Sequence, residues 1–106
     1  MSEVFKIKSG DTSPAIAYVP STTETFAGAS VVFSAKDNTG AVIIDDAAAS
    51  IVTIDGSTAL QYNWAIGDTA SLSAISKCEF TVTYADATTE TFPNNDYIVI
   101  SVLSRI

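Results

Sequence analysis

The sequence predicts an all-β chain, a β-sandwich of about seven to nine short strands folded as one domain. Three observations carry that prediction. Apolar and polar residues alternate with period two along most of the 106 residues, which is the pattern of antiparallel sheet with one wet face. Clusters of Gly, Asp, Asn, Ser and Pro separate the alternating runs at short, fairly even spacing. No window sustains the spacing of an amphipathic helix.

The elements follow in order. Phe5 and Ile7 point one way and Lys6 and Lys8 the other, and a turn spans Lys8–Pro14. Ile16 and Tyr18 share a face of the next run, and Val31, Phe33 and Ala35 share one in the run after it. Lys36–Gly40 is a turn. Asp45–Ser50 predicts either one helical turn, capped by Asp45 or Asp46, or a loop. Ile54–Ser57 turns the chain into a run where Leu60, Tyr62 and Trp64 alternate with Gln61 and Asn63. Ala65–Thr69 is the next turn. Cys78, Phe80, Val82 and Tyr84 then alternate with Glu79, Thr81 and Thr83, and Asp86–Thr89 makes a hairpin into Thr91 and Phe92. Pro93 cannot donate to a ladder, so that strand stops and turns through Asn94 and Asn95. Phe92 and Tyr97 are placed to pack on either side of this corner. Ile98, Ile100 and Val102 form the last apolar face.

Composition narrows the class. With 47% hydrophobic and 16% charged residues the chain can bury a core without staples. Cys78 is its one cysteine, so it forms no intrachain disulfide. The N-terminus MSEVFKIKSGDTSP holds no signal-peptide core, and apolar runs such as Ala41–Ile44 are too short to span a bilayer. The expectation is a soluble protein made in the cytosol, with no membrane partner. Twelve acidic residues against five basic ones give a net charge of −7. That charge repels phosphate backbones and argues against a nucleic-acid partner.

Little in the sequence offers chemistry. It contains no histidine, which removes the commonest general base, the Ser-His-Asp and Cys-His arrangements and most transition-metal sites. Cys78 lies in phase with Phe80 and Val82 and is expected to be a small buried residue. Loop carboxylates at Asp37, Asp45, Asp46 and Asp55 do not follow the ligand spacing of a calcium loop, and Asp before Gly is what turns require. No phosphate-binding loop is present, since Gly56 and Gly67 stand alone. The expectation is therefore no catalytic residues, no metal and no cofactor. Trp64 is expected to anchor the core between two sheets, the use immunoglobulin-like sandwiches make of a central Trp.

Four segments carry a family resemblance: KSGDTSP, GASVVFSAKDNTGAVIIDDAAA, LQYNWAIGDTA and EFTVTYADATTETFPNNDYIVISV. In order and spacing they resemble the immunoglobulin-like domain at the start of tailed-bacteriophage baseplate upper proteins. That family shows a GDT-x-P opening, a GA-x-V-x-F strand, a Y-x-W-x-x-GDTA strand and turn, and a closing hairpin with ADG and TFPN. The likeness covers almost the whole chain. It implies an immunoglobulin-like antiparallel sandwich and a non-enzymatic role in the tail or baseplate. It places Gly10, Asp11 and Pro14 in the first turn, Trp64 in the core, Gly67 and Asp68 in the following turn, and Phe92, Pro93 and Asn94 at the closing corner. This chain departs from the pattern at Ala74 and Ser76, where the family has Gly-x-Tyr, and at Ala87, where it has the Gly of ADG.

The resemblance implies a virion location, other virion proteins as partners, and a homo-oligomer in the particle. The chain is expected to be either a stand-alone virion protein or one domain of a longer one. The alternative is a module that binds host-surface carbohydrate or protein, with Tyr18, Phe26 and Tyr97 as candidate exposed aromatics. Two further expectations concern edges. Val4–Lys8, with Lys6 and Lys8, reads as a protected edge strand. The closing strand carries no charge from Ile98 to Leu103, so it must be central or covered. Val99 and Leu103, opposite Ile98, Ile100 and Val102, are the candidate docking face.

Overall fold

A computed structural model describes residues 4–21 and 25–106. Among these residues eight strands form: β1 (Val4–Lys8), β2 (Ile16–Tyr18), β3 (Ser30–Lys36), β4 (Val42–Ile54), β5 (Ser57–Tyr62), β6 (Ile75–Thr83), β7 (Thr89–Phe92) and β8 (Ile98–Leu103). One four-residue helical turn, α1 (Asp68–Ser71), lies between β5 and β6. The strand order is β1-β8-β6-β3-β4-β5-β2, with β7 also pairing β6. The all-β class and the strand number agree with the sequence.

The 13-residue β4 joins the two halves. Its first part, to Ala49, pairs with β3, and its last part, from Ser50 to Ile54, pairs with β5. One strand thus serves both layers, and the sheet curls toward a barrel. The segment Asp45–Ser50 is therefore strand, neither helical turn nor loop. What the pattern concealed is a bulge: Phe33 pairs Ala47 while Ala35 pairs Ile44. Asp46 takes the extra place with a φ of 48°. An Asp tolerates that left-handed backbone, and Ser34 secures it. The Ser34 hydroxyl accepts the Asp46 N–H at 2.9 Å and donates to its carboxylate at 3.2 Å.

The expected antiparallel sandwich is a mixed one. β1 runs parallel to β8, in register from Val4 opposite Val99 to Lys8 opposite Leu103. No tight turn joins these two strands, so nothing local fixes their direction, and the chain can bring its first strand beside its last in either sense. β7 and β8 lie end to end along the same edge of β6, on Phe80–Thr83 and Ile75–Cys78 respectively. The jog between them is the Pro93–Tyr97 corner.

The core is built where the alternation aimed it. Phe33, Phe80, Leu60, Val82 and Ile100 are wholly buried. Phe33 stacks on Tyr62 with centroids 4.4 Å apart, and Trp64 meets both rings edge-on at 5.7 and 5.5 Å. Trp64 is the expected anchor. Its Nε1–H donates to the Pro14 carbonyl at 3.0 Å. Thr69, fully buried on α1, continues the seam: its hydroxyl accepts the Gly10 N–H at 2.9 Å and donates to the Asp11 carbonyl at 2.8 Å. The two Gly-Asp-Thr stretches, 10–12 and 67–69, thus meet across the fold.

Candidate docking face

The outer side of β1, β8, β6 and β3 follows from alternation and register. In one row across the sheet stand Val4, Val99, Lys77, Lys36 and Val42. In the next stand Lys6, Ser101 and Ile75, and then Lys8 with Leu103. Val4 is 59% exposed, Val42 60%, Ile75 52% and Leu103 45%. Exposed aliphatic groups grouped on one face with charges between them mark an interaction surface more often than scattered ones do. All four lysines of the chain lie on this half of the face, and Arg105 follows β8 by two residues.

The other half of the same face is different. Its rows are Glu79, Ser34 and Asp46, then Thr91, Thr81, Val32 and Ala48, then Thr89, Thr83 and Ser30. The sheet therefore carries a cationic and aliphatic half beside an acidic and hydroxyl-rich half. On a chain of net charge −7 this is strong segregation.

Val99 and Leu103 lie on that face, as the period-two reading placed them. The inward set of β8 is buried, with Ile98, Ile100 and Val102 each under 10% exposed. β8 is central, between β6 and β1, and β1 is the edge with Lys6 and Lys8 outward. Leu103 is exposed and Val99 half-buried between its neighbours.

The three aromatics named from the sequence separate. Tyr18 packs on Phe92 with ring centroids 6.5 Å apart, and Phe26 stacks on Tyr84 at 5.9 Å. Both are half-buried rim residues packed against the core, not exposed platforms. The strand ends that suggested exposure are covered by neighbouring aromatics. Tyr97 is also half-buried but lies on the outer face, where two ammonium groups approach its ring. Lys36 Nζ is 4.8 Å and Lys77 Nζ 5.3 Å from the ring centroid. A shallow cavity of about 140 Å³ opens there, lined by Ser34, Lys36, Val42, Lys77, Glu79 and Tyr97 among others. Sequence reasoning missed this cluster. The only signal was that Lys36 and Lys77 are out of phase with the buried residues of their own strands, and their meeting depends on the β3–β6 register.

Elsewhere the titratable groups serve the fold. Thr39 donates its N–H and hydroxyl to the Asp37 carboxylate, as does the Ala41 N–H. The Thr39 hydroxyl bond leads in holding Asp37 below the usual carboxylate range. Asp86 is lowered in the same way by Thr88. Burial pushes the Cys78 thiol well up, so the thiol stays protonated and is a poor nucleophile. Tyr62 is pushed up to about 12, first by burial and then by its hydroxyl's 2.6 Å bond to the Asp68 carboxylate. Among the described residues no group of three or more His, Cys, Asp or Glu side chains is placed to hold a metal ion, and no helix is long and apolar enough to cross a membrane.

No protein-family model matches the chain, and no curated protein or solved structure matches it.

Proposed function

We propose that this chain is a non-enzymatic docking module of a tailed-phage virion, seated in the tail or baseplate and held by other virion proteins. The observation that carries the docking part is the cationic and aliphatic half-face of β1, β8, β6 and β3, with Val4, Ile75, Val99 and Leu103 set among lysines. The phage part rests on the ordered motifs from KSGDTSP to TFPN, and the immunoglobulin-like description of the sandwich belongs to the same reading. The mechanism is surface complementarity. Aliphatic groups supply burial and the lysines set the orientation and the choice of partner.

Copies in the particle are related by the symmetry of the assembly. Pairing of this cationic half with the same half of a second copy would stack lysines against lysines, so its charge pattern favours a partner surface that carries carboxylates. A carbohydrate-binding role has less support, because Tyr18 and Phe26 are engaged in rim packing. Mass spectrometry of purified particles tests the proposal. The chain is expected in stoichiometric amount beside tail or baseplate proteins, and its absence from the particle would remove the virion assignment.

A further inference from the structure

We propose that Lys36, Lys77 and Tyr97 form a carboxylate-binding subsite that takes one Asp or Glu side chain from a partner protein. The inference deepens the docking reading and rests on it. It begins with a conflict in the sheet. Lys36 and Lys77 stand directly opposite each other on β3 and β6, and like charges so placed destabilise a strand pair. The chain has twelve acidic residues and only five basic ones, yet two of the five meet here. Local conflicts of this kind concentrate at functional sites.

The geometry shows what would resolve the conflict. Both ammonium groups approach one ring, at 4.8 and 5.3 Å from its centroid. Cation–π attraction holds long side chains that would otherwise wander. Donors already in place lose less freedom on binding. The cavity beneath them also receives Glu79, so two lysines and one glutamate leave a net single positive charge. A carboxylate arriving there turns a repulsive pair into two charge-assisted hydrogen bonds. Val99 and Val42 flank the lysines in the same row, so the partner's acid is best carried between aliphatic residues.

The charge of the whole chain selects the class of partner. At −7 it repels extended polyanions such as nucleic acid or an acidic bilayer, and it repels a second copy. A single acid on a partner that is not itself strongly acidic meets the patch within a Debye length of about 8 Å and escapes most of that repulsion.

The test is a titration of the isotope-labelled full chain with acetyl-Glu-Leu-Glu-Leu-Glu-amide, followed by amide chemical shifts. The control is the peptide with Gln in place of each Glu. Saturable shifts are expected at Lys36, Lys77 and Tyr97, with the Gln peptide weaker by about ten-fold or more. Lys36→Gln with Lys77→Gln should weaken the acidic peptide to the level of the control and keep the wild-type spectrum elsewhere. Glu79→Gln should tighten binding. Tyr97→Phe should retain binding and Tyr97→Leu reduce it, which separates the ring's role from loss of folding. Equal binding of the two peptides would overturn the proposal, as would shifts centred away from the cavity. So would tighter binding of phosphatidylserine vesicles or a single-stranded oligonucleotide than of the peptide. No particle is needed, so failure here removes the subsite and leaves the virion assignment to the mass spectrometry.

Discussion

Replacing Trp64 by Ala removes the ring that ties the aromatic core to the first loop. Trp64 is 5% exposed and touches Phe5, Phe33 and Tyr62. Truncating a buried Trp costs about 3–5 kcal/mol. Loss of the Nε1–H leaves the Pro14 carbonyl without that donor, about 1 kcal/mol more. A domain of this size has roughly 5–15 kcal/mol in all, so a loss of about 4–6 kcal/mol leaves the variant marginal. Trp64→Phe keeps a ring and loses the hydrogen bond and some packing, so about 1–2 kcal/mol is expected. Urea unfolding followed by circular dichroism is the suitable assay, because the variants lack the chain's only tryptophan fluorophore. An Ala variant that loses under 1 kcal/mol would refute the reasoning, since the ring would then not be bearing on the core.

Three other outcomes follow from local geometry. Ala87 has a φ of 73°, where an L side chain is strained, so Ala87→Gly should raise stability by about 0.5–1 kcal/mol in the same urea assay. Tyr62 has its pKa raised to about 12 from 10.0, so the folded state holds the phenol proton more tightly than the unfolded state. That contribution is complete below pH 10 and is lost as pH climbs through 12, with the sign set by linkage. Asp68→Asn removes the charge beside the hydroxyl, and phenolate absorbance should show Tyr62 titrating at lower pH. Val99→Asp sets a carboxylate directly opposite Lys77, a cross-strand pair worth about 0.2–1 kcal/mol that offsets part of the lost packing. Its midpoint should therefore fall little, while binding of the acidic peptide is abolished because the new carboxylate occupies Lys77.

Alternation made the strands legible, and the reasons it stopped short are physical. Val4–Lys8 was readable to the residue because a lone edge strand shows its pattern undisturbed. The inward set of β8 was equally plain from Ile98, Ile100 and Val102. Asp45–Ser50 was not, because the bulge at Asp46 breaks the period and three alanines carry almost no pattern. The parallel sense of β1 was hidden, since direction between chain ends is set by tertiary pairing. Thr69 looked like turn chemistry, and its bond to Gly10 spans 59 positions. Ala87 takes a left-handed φ of 73°, a turn geometry that alternation does not reveal. At the candidate docking face, Val99 and Leu103 were visible as outward members of an uncharged strand. The Lys36–Lys77 pair was not, because it exists only in the register of β3 on β6.

The docking claim is tested most directly by zero-length carbodiimide cross-linking of purified particles, which joins lysine amines to carboxylates already in contact. The expected result is amide links from Lys36 or Lys77, with Lys6 or Lys8 in support, to Asp or Glu residues of a neighbouring virion protein. Particles that contain the chain with all four lysines unlinked, and with its links arising only from its own carboxylates, would contradict docking through this face.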